Sequence, residues 1–270
     1  GISYHMRSWA IDEQPDAQTV KMILQENKSI THVAMVHSET TSGILNDVQS
    51  IGRVVKEAGA TFIVDAMSSF AGVDIPVREW GIDCIISSAN KCIQGVPGFA
   101  YVIVRKDLLA ACEGNARSLA LDLYDQWKTM NVDGKWRFTS PTHVVLAFAK
   151  AMEELEAEGG ITARHERYAA NEKLLRKKLS ALGFVPFLEQ EVQGPIITTF
   201  YYPAGYNFSF QEMYDYIKER GYILYPGKTT KAETFRVGNI GEIYQDDIDK
   251  VAGLLSDFLD SKRNLQAKGA

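Results

Sequence analysis

The chain has 270 residues, of which 46% are hydrophobic and 23% are charged, and its formal net charge is −5 at pH 7. This length is enough to bury a large core and predicts two domains, and the composition is ordinary for a globular protein. The negative net charge argues against nucleic acid as a partner, and no apolar run approaches the length of a membrane span.

The first part of the chain alternates between patterns typical of helices and patterns typical of buried strands. Short apolar runs bounded by turn residues favour parallel strands, while apolar residues at helical spacing favour amphipathic helices. A strand, a helix and a second strand in succession predict a right-handed parallel crossover. In chain order, the predicted elements are a strand at residues 1–4, a helix at 16–27, a buried strand at 31–36, a helix capped by Asn46 or Asp47 and ending at Gly59, and strands that end at Asp65, at Ser87 and at Val104.

The later part of the chain predicts two long helices and then a small α+β pattern. Ser140 and Pro141 predict a helix start, with the serine as cap and the proline in the first turn. The arginines and lysines of the second long helix are predicted to face solvent. The predicted elements are a helix that stops near Gly159, helices at 161–182, 209–221 and 245–259, and strands at 196–202 and 235–238.

These patterns divide the chain into two predicted domains. Residues 1–160 form a large α/β domain with a mostly parallel sheet, and residues 161–270 form a linking helix and a small α+β domain. We find no internal repeat and no low-complexity segment in the sequence.

The cysteines and histidines show no pattern typical of a disulfide framework or a metal site. Cys84, Cys92 and Cys112 are odd in number and lack C-x-x-C spacing, which favours a reducing cytoplasm. The five histidines make no H-x-x-x-H pattern. We expect each histidine to lie on the surface or to be satisfied in the core, and we assign no metal.

Two residues with opposite charges follow neighbouring predicted strands. Asp65 ends one strand, and Lys91 lies in the loop after the next one. In open α/β sheets, ligands bind beyond the carboxyl ends of the strands. We therefore expect Asp65 and Lys91 to face one crevice, where a carboxylate and an amine suggest a cofactor site.

Three motifs around these residues resemble the class V aminotransferases. They are HSETTSGILN at residues 37–46, VDAMSSFAG at 64–72 and SSANKCIQGVPGFA at 87–100, and they agree with the family in order and spacing. Within the family they are closest to members that transfer the amino group of 2-aminoethylphosphonate to pyruvate, in phosphonate catabolism. The resemblance runs through essentially the whole chain. It implies a fold type I transferase, pyridoxal phosphate as cofactor, and a homodimer with shared active sites.

The resemblance assigns the central roles to Lys91 and Asp65. The matching lysine of the family binds pyridoxal phosphate covalently and moves a proton between substrate and cofactor, which requires a desolvated amine. The matching aspartate keeps the ring nitrogen of the cofactor protonated. The alternatives are a solvated surface lysine and an aspartate that caps the following loop.

The resemblance also implies cofactor contacts from five further candidate residues. A hydroxyl of Thr40 or Thr41 donates to the phenolic oxygen of the cofactor, and Met67 presses on the ring. Asn90 reaches the phosphate, and Thr139 reaches the phosphate of the neighbouring subunit. The alternatives are a turn that bonds its own backbone for Thr40 and Thr41, core packing for Met67, and helix-start chemistry for Thr139.

Arg236 is the candidate for substrate binding. It lies in a short predicted strand and matches an arginine of the family that binds the carboxylate of the amino acid or keto acid. A planar guanidinium suits a carboxylate because it donates two parallel hydrogen bonds. The alternative is an exposed arginine on the strand.

Three other functions compete with this interpretation. Another class V transaminase, such as an alanine–glyoxylate or serine–glyoxylate enzyme, would use the same site. A cysteine desulfurase is disfavoured because no cysteine follows Cys112. A non-catalytic dinucleotide-binding or structural module is disfavoured because no G-x-G-x-x-G follows the first strand.

The resemblance also concerns the start of the chain. Family members carry a preceding Gly-rich turn and helix that hold the cofactor phosphate, and the sequence shows no such segment before Gly1. We therefore expect a chain truncated at its N-terminus, which alone binds the cofactor weakly or not at all, and a complete protein that is active.

Overall fold

A computed structural model describes residues 1–204, 208–227, 229 and 232–268 of the chain. In the described residues, helices and two sheets follow one another along the sequence. The elements are α1 (Ala17–Glu26), β1 (His32–Val36), α2 (Val48–Glu57), β2 (Thr61–Asp65), β3 (Cys84–Ser88), β4 (Ala100–Val104), α3 (Lys106–Ala110), α4 (Leu123–Asp133), α5 (Thr142–Glu158), α6 (Gly160–Ala181), β5 (Ile197–Tyr201), α7 (Phe210–Lys218), β6 (Tyr225–Pro226), β7 (Thr234–Gly238) and α8 (Gln245–Lys268).

The first sheet has the order β1-β2-β3-β4. Strands β1, β2 and β3 are parallel, and β4 is antiparallel to β3. Val36 pairs with Asp65, and Asp65 pairs with Ile86, so the three parallel strands end close together. The loops that follow them therefore meet at one edge of the sheet, as predicted for a mostly parallel sheet.

Helix α2 packs against this sheet through the apolar residues that its spacing predicted. Asp47 is the cap, because its side chain accepts a hydrogen bond from Ser50 N. Val55 and Phe62 are fully buried in the resulting cluster. Gly52 is needed for this packing, since a Cβ there would lie 1.9 Å from the carbonyl oxygen of Trp80.

Two expectations about the first strands are wrong. Residues 1–10 contain no strand, and Ile2 is 81% exposed. Strand β1 is not buried throughout, because its residues alternate between exposed and half-buried. Its exposed residues His32, Ala34 and Val36 lie on one face, and within the described residues β1 is an edge strand of the sheet, which the apolar sequence could not reveal.

The second sheet is antiparallel, with the order β5-β7-β6. Its core joins this sheet to α6, α7 and α8 through buried residues such as Phe200, Met213, Phe235 and Leu255. The predicted strands and helices of this part are confirmed within a few residues, and α8 is longer than expected. The division of the chain at residue 160 stays a prediction.

Helices α5 and α6 differ from the sequence expectations in two respects. Helix α5 begins at Thr142 with Pro141 at the cap position, and no side chain caps it, so the predicted cap by Ser140 is wrong. In α6, Arg164 is only 2% exposed, so the prediction of a solvated basic face is wrong for this residue, whereas Lys173 and Lys177 are exposed as predicted. Helix α6 packs against α5, α8 and β5, and a helix with neighbours on several sides has no single polar face. No helix among the described residues is both long and apolar enough to cross a bilayer.

Candidate active site

A cleft of about 560 Å³ lies where the loops after the parallel strands face the second sheet. Thr40, Ser68 and Lys91 line it from the loops of the first sheet. Arg236 and its neighbours on β7 line it from the other side, together with apolar residues that include Ile196 and Ile197. Three of the predicted site residues, Thr40, Lys91 and Arg236, are thus brought together.

Lys91 lies in a tight loop after β3. Ala89 is fully buried at the start of this loop, and its carbonyl oxygen accepts a hydrogen bond from Gly95 N at 2.8 Å. Gln94 N donates to the carbonyl oxygen of Lys91 at 2.9 Å. The side chain of Lys91 is half-buried, so the alternative of a fully solvated lysine does not describe it.

Asp65 ends β2, where its carboxylate holds the next loop. Its Oδ1 accepts a hydrogen bond from Met67 N at 2.8 Å, and its carbonyl oxygen accepts one from His37 N at 2.8 Å. The loop-capping interpretation is therefore seen directly. It does not exclude a cofactor contact, because a carboxylate accepts several hydrogen bonds. Asp65 does not belong to the residues that line the cleft.

The loop at residues 39–41 is organised by its own side chains. Thr41 donates from N and from Oγ1 to Oε1 of Glu39, both at 3.0 Å. The turn is therefore held by a side-chain carboxylate and not, as the alternative for Thr41 had it, by a bond from the threonine hydroxyl to its own backbone. Thr40 instead lines the cleft.

Arg236 is buried, with 5% of its surface exposed, so the alternative of an exposed strand arginine is wrong. Its Nη1 donates to the carbonyl oxygen of Thr40 at 2.8 Å, and its Nε donates to that of Pro226 at 3.0 Å. Burial lowers the pKa of Arg236, and Tyr225 and Glu39 oppose this shift. A guanidinium has five N–H donors, so these two bonds leave donors for a carboxylate.

The remaining predicted residues lie outside the lining of this cleft. Met67 is half-buried, whereas Asn90 and Thr139 are exposed. Asn90 directly precedes Lys91, and Thr139 lies before α5. Their cofactor contacts stay predictions.

Sequence reasoning missed Ser68, and it did not identify Ser69 as the partner of His37. Ser68 lines the cleft, and its position in the VDAMSSFAG motif is the signal that would have found it. His37 is 2% exposed, and its Nδ1 lies 2.9 Å from Ser69 Oγ. Burial lowers the pKa of His37 to about 4, so its ring is neutral at neutral pH. This is the satisfied core histidine that the sequence analysis expected.

Comparisons with known sequences point to one family. Residues 4–237 match the sequence model of the family described as Aminotransferase class-V. A protein of Lysinibacillus sphaericus named 2-aminoethylphosphonate--pyruvate transaminase is 54% identical over 253 residues, which cover 94% of this chain and 69% of that protein. A protein of the same name from Bacillus cereus is 54% identical over 86% of this chain and 64% of its own length. The chain therefore spans about two thirds of the length of these relatives.

Solved structures of aminotransferases share the fold. The alanine--glyoxylate aminotransferase of Nostoc sp. superposes with a TM-score of 0.81 at 21% identity, covering 92% of this chain and 66% of that one. The pyridoxamine-pyruvate aminotransferase of Mesorhizobium loti gives a TM-score of 0.81 at 25% identity, over 94% of this chain and 65% of that one. A cysteine desulfurase from Thermococcus onnurineus is more distant, with a TM-score of 0.69 at 14% identity, over 93% of this chain and 64% of that one. The predicted fold class is confirmed.

Proposed function

The chain belongs to the class V aminotransferases, and from this premise we propose that the natural protein containing it transfers the amino group of 2-aminoethylphosphonate to pyruvate. The products are phosphonoacetaldehyde and alanine. Relatives that carry the name of this activity are 54% identical to the chain. The structural observation that carries the proposal is the presence of Lys91 and Arg236 in one cleft.

The residues of the cleft fit pyridoxal phosphate, the cofactor of this family. Lys91 offers an amine for covalent attachment, and Thr40 and Ser68 offer hydroxyl groups at the same cleft. Ile196 and Ile197 add an apolar wall that suits an aromatic ring. When bound, the cofactor supplies an electron sink for the negative charge that develops at the carbon next to the amine.

Lys91 is the proposed catalytic residue. Its Nζ would hold the cofactor and, once the amine of the substrate has taken its place there, would be free to accept the proton from the carbon that bears this amine. The same Nζ would then pass the proton on. Water would release phosphonoacetaldehyde, and pyruvate would accept the amino group as alanine in a second half-reaction, so ping-pong kinetics are expected.

Asp65 is proposed to keep the proton on the ring nitrogen of the cofactor. A carboxylate next to a protonated nitrogen favours the charged form of that nitrogen. Its bond to Met67 N fixes the carboxylate at the end of β2. Asp65 lies three residues before Ser68, which lines the cleft.

We propose secondary cofactor contacts for the other matched residues. Thr40 or Thr41 donates to the phenolic oxygen, Met67 packs on the ring, and Asn90 contacts the phosphate. Thr139 is exposed before α5, which suits a contact with the cofactor of a second subunit in a homodimer. The three free cysteines favour a cytoplasmic location.

Arg236 is proposed to bind the carboxylate of pyruvate or alanine. It lines the same cleft as Lys91 and so brings a positive charge to the cleft that holds the proposed reacting amine. Its bonds to two carbonyl oxygens hold the guanidinium plane in place before substrate arrives. Such preorganisation reduces the cost of binding.

Another class V transaminase is the second candidate, because the fold matches an alanine--glyoxylate aminotransferase as well. The two candidates differ in the amino donor. We expect kcat/KM of the natural protein for 2-aminoethylphosphonate with pyruvate to exceed that for alanine with glyoxylate by about 100-fold or more. Equal values, or a preference for alanine with glyoxylate, would exclude the proposed substrate.

A further inference from the structure

A buried guanidinium holds the backbone next to Lys91. Arg164 of α6 is 2% exposed. Its Nη1 donates to the carbonyl oxygen of Cys92 at 2.7 Å, and its Nε donates to Oε2 of Glu158 at 2.5 Å. Because Cys92 directly follows Lys91, this ion pair is bonded to the loop that carries the amine.

The Lys91 loop has a conformation that needs support. Gln94 has a φ of +66°, in the left-handed region that residues other than glycine rarely adopt. A residue keeps such a strained backbone conformation only when contacts with the surrounding structure hold it in place. Gln94 Nε2 donates to Tyr168 Oη at 2.6 Å, so a second residue of α6 supports the loop.

A second arginine links the same carboxylate to another part of the cleft lining. Oε1 of Glu158 accepts a hydrogen bond from Nε of Arg167 at 2.7 Å. Nη1 of Arg167 donates to the carbonyl oxygen of Gly241 at 2.7 Å. Gly241 lies between Ile240 and Ile243, and both of these line the cleft. One carboxylate thus connects two arginines that bond segments next to different residues of the cleft lining.

We propose that Glu158 at the end of α5 and Arg164 and Arg167 of α6 form a positioning unit, the α5–α6 clamp, that sets the position of the amine of Lys91 in the cleft. This inference rests on the proposed function, in which Lys91 holds the cofactor. Buried ion pairs are a weak source of stability, because desolvation offsets much of their attraction. Their fixed geometry is better suited to holding groups in register, and a displacement of about 1 Å near reacting atoms can cost about 100-fold in rate.

Helix α6 offers a matched control for the clamp. Arg176 lies on the same helix, and its Nη2 donates to the carbonyl oxygen of Leu188 at 2.7 Å. This bond has the same length and chemistry as that of Arg164 to Cys92, but it supports a segment away from the Lys91 loop. R164K and R176K therefore make the same chemical change at two carbonyl oxygens.

The experiment compares R164K, E158Q and R176K in the natural protein containing this chain. Hydrogen exchange of a peptide covering residues 89–95 is measured without cofactor, together with thermal unfolding. With pyridoxal phosphate, the pH titration of the absorbance of the lysine-bound cofactor is recorded, and kcat and KM are determined. Hydrogen exchange reports on the loop whether or not the cofactor is attached to Lys91. A failure of the clamp can therefore be distinguished from a failure of the proposed function.

We expect R164K and E158Q to speed exchange of the 89–95 peptide by about tenfold and to lower kcat by about tenfold or more, with KM little changed. The midpoint of the absorbance titration should shift in both variants. R176K should stay within about twofold of the wild type in each measurement.

Unchanged exchange and kcat in folded R164K and E158Q would overturn the inference. If R164K does not fold, E158Q carries the same comparison, because it keeps the shape of the side chain and removes its charge. Failure of both to fold, with R176K folded, would show a purely structural role and would also overturn the proposal. Attachment of the cofactor to a lysine other than Lys91 would contradict the proposed function. Faster hydrogen exchange of the 89–95 peptide in R164K would still support the clamp in that case.

Discussion

The guanidinium of Arg236 donates through Nη1 to the carbonyl oxygen of Thr40 at 2.8 Å. The two residues are 196 positions apart, and one lies on β7 of the second sheet and the other in the loop after β1. This bond joins the two walls of the cleft. It also holds the guanidinium in the cleft that Lys91 lines, where we propose that it binds the carboxylate of the substrate.

Replacing Arg236 by lysine should weaken substrate binding. Lysine keeps the charge but loses the planar fork and the simultaneous bonds to Thr40 and Pro226. We expect KM for pyruvate to rise by about tenfold or more, with a smaller change in kcat. Steady-state kinetics at varied pyruvate measure this. R220K is the control, because Arg220 contacts only its helix neighbours Tyr216 and Glu219 among the described residues, and it should leave KM unchanged.

Replacing Asp65 by asparagine separates its two roles. The amide oxygen of asparagine can still accept the bond from Met67 N, so the loop should keep its shape. The negative charge that stabilises the protonated ring nitrogen is lost, and we expect kcat to fall by about 100-fold or more. Thermal unfolding should change little. An active D65N variant with a normal kcat would show that Asp65 serves only the loop.

Gly72 permits the close approach of the Lys91 loop. A Cβ at this position would lie 2.5 Å from Sγ of Cys92, which is fully buried. We expect G72A to destabilise the protein by about 1–3 kcal/mol and to reduce covalent cofactor binding. Gly253 in α8 has no atom within 4 Å of its added Cβ, so G253A should instead stabilise by about 0.5–1 kcal/mol. Urea unfolding measures the stability of both variants, and absorbance of the bound cofactor measures its attachment. If G72A is as stable as the wild type, the close packing of Gly72 against Cys92 is contradicted.

His37 should make stability depend on pH. Burial lowers the pKa of His37 from 6.5 to about 4, so between these values the unfolded state binds a proton that the folded state does not. The free energy of unfolding should therefore fall as pH drops from 6.5 towards 4, by roughly 3 kcal/mol in total from this group. Urea unfolding across this window, compared between the wild type and H37Q, measures the contribution. An identical slope in H37Q would show that other groups cause the pH dependence.

The elements that follow local patterns were predictable from the sequence. Helix α2 has its apolar residues at helical spacing and a cap at Asp47, and β2 is a short apolar run that ends at Asp65. Lys91 was found because a strand end and a matched motif coincide at one position. These signals are contained in short stretches of the chain.

The features that depend on tertiary neighbours were not predictable. Arg164 looks like a surface residue in the sequence, and its burial follows from the elements that surround α6. The same holds for β1, whose exposed residues reflect its place in the sheet. Arg236 was recognised by its motif, but its bonds to Thr40 and Pro226 join segments that no local pattern connects.

The central claim is that Lys91 is the lysine that holds the cofactor. The most direct test is reduction of the natural protein with borohydride in the presence of pyridoxal phosphate, followed by peptide mapping of the labelled lysine. We expect the label on Lys91 in the wild type and no specific label in K91A. A label on another lysine, or equal labelling of K91A, would contradict the assignment of this cleft as the active site.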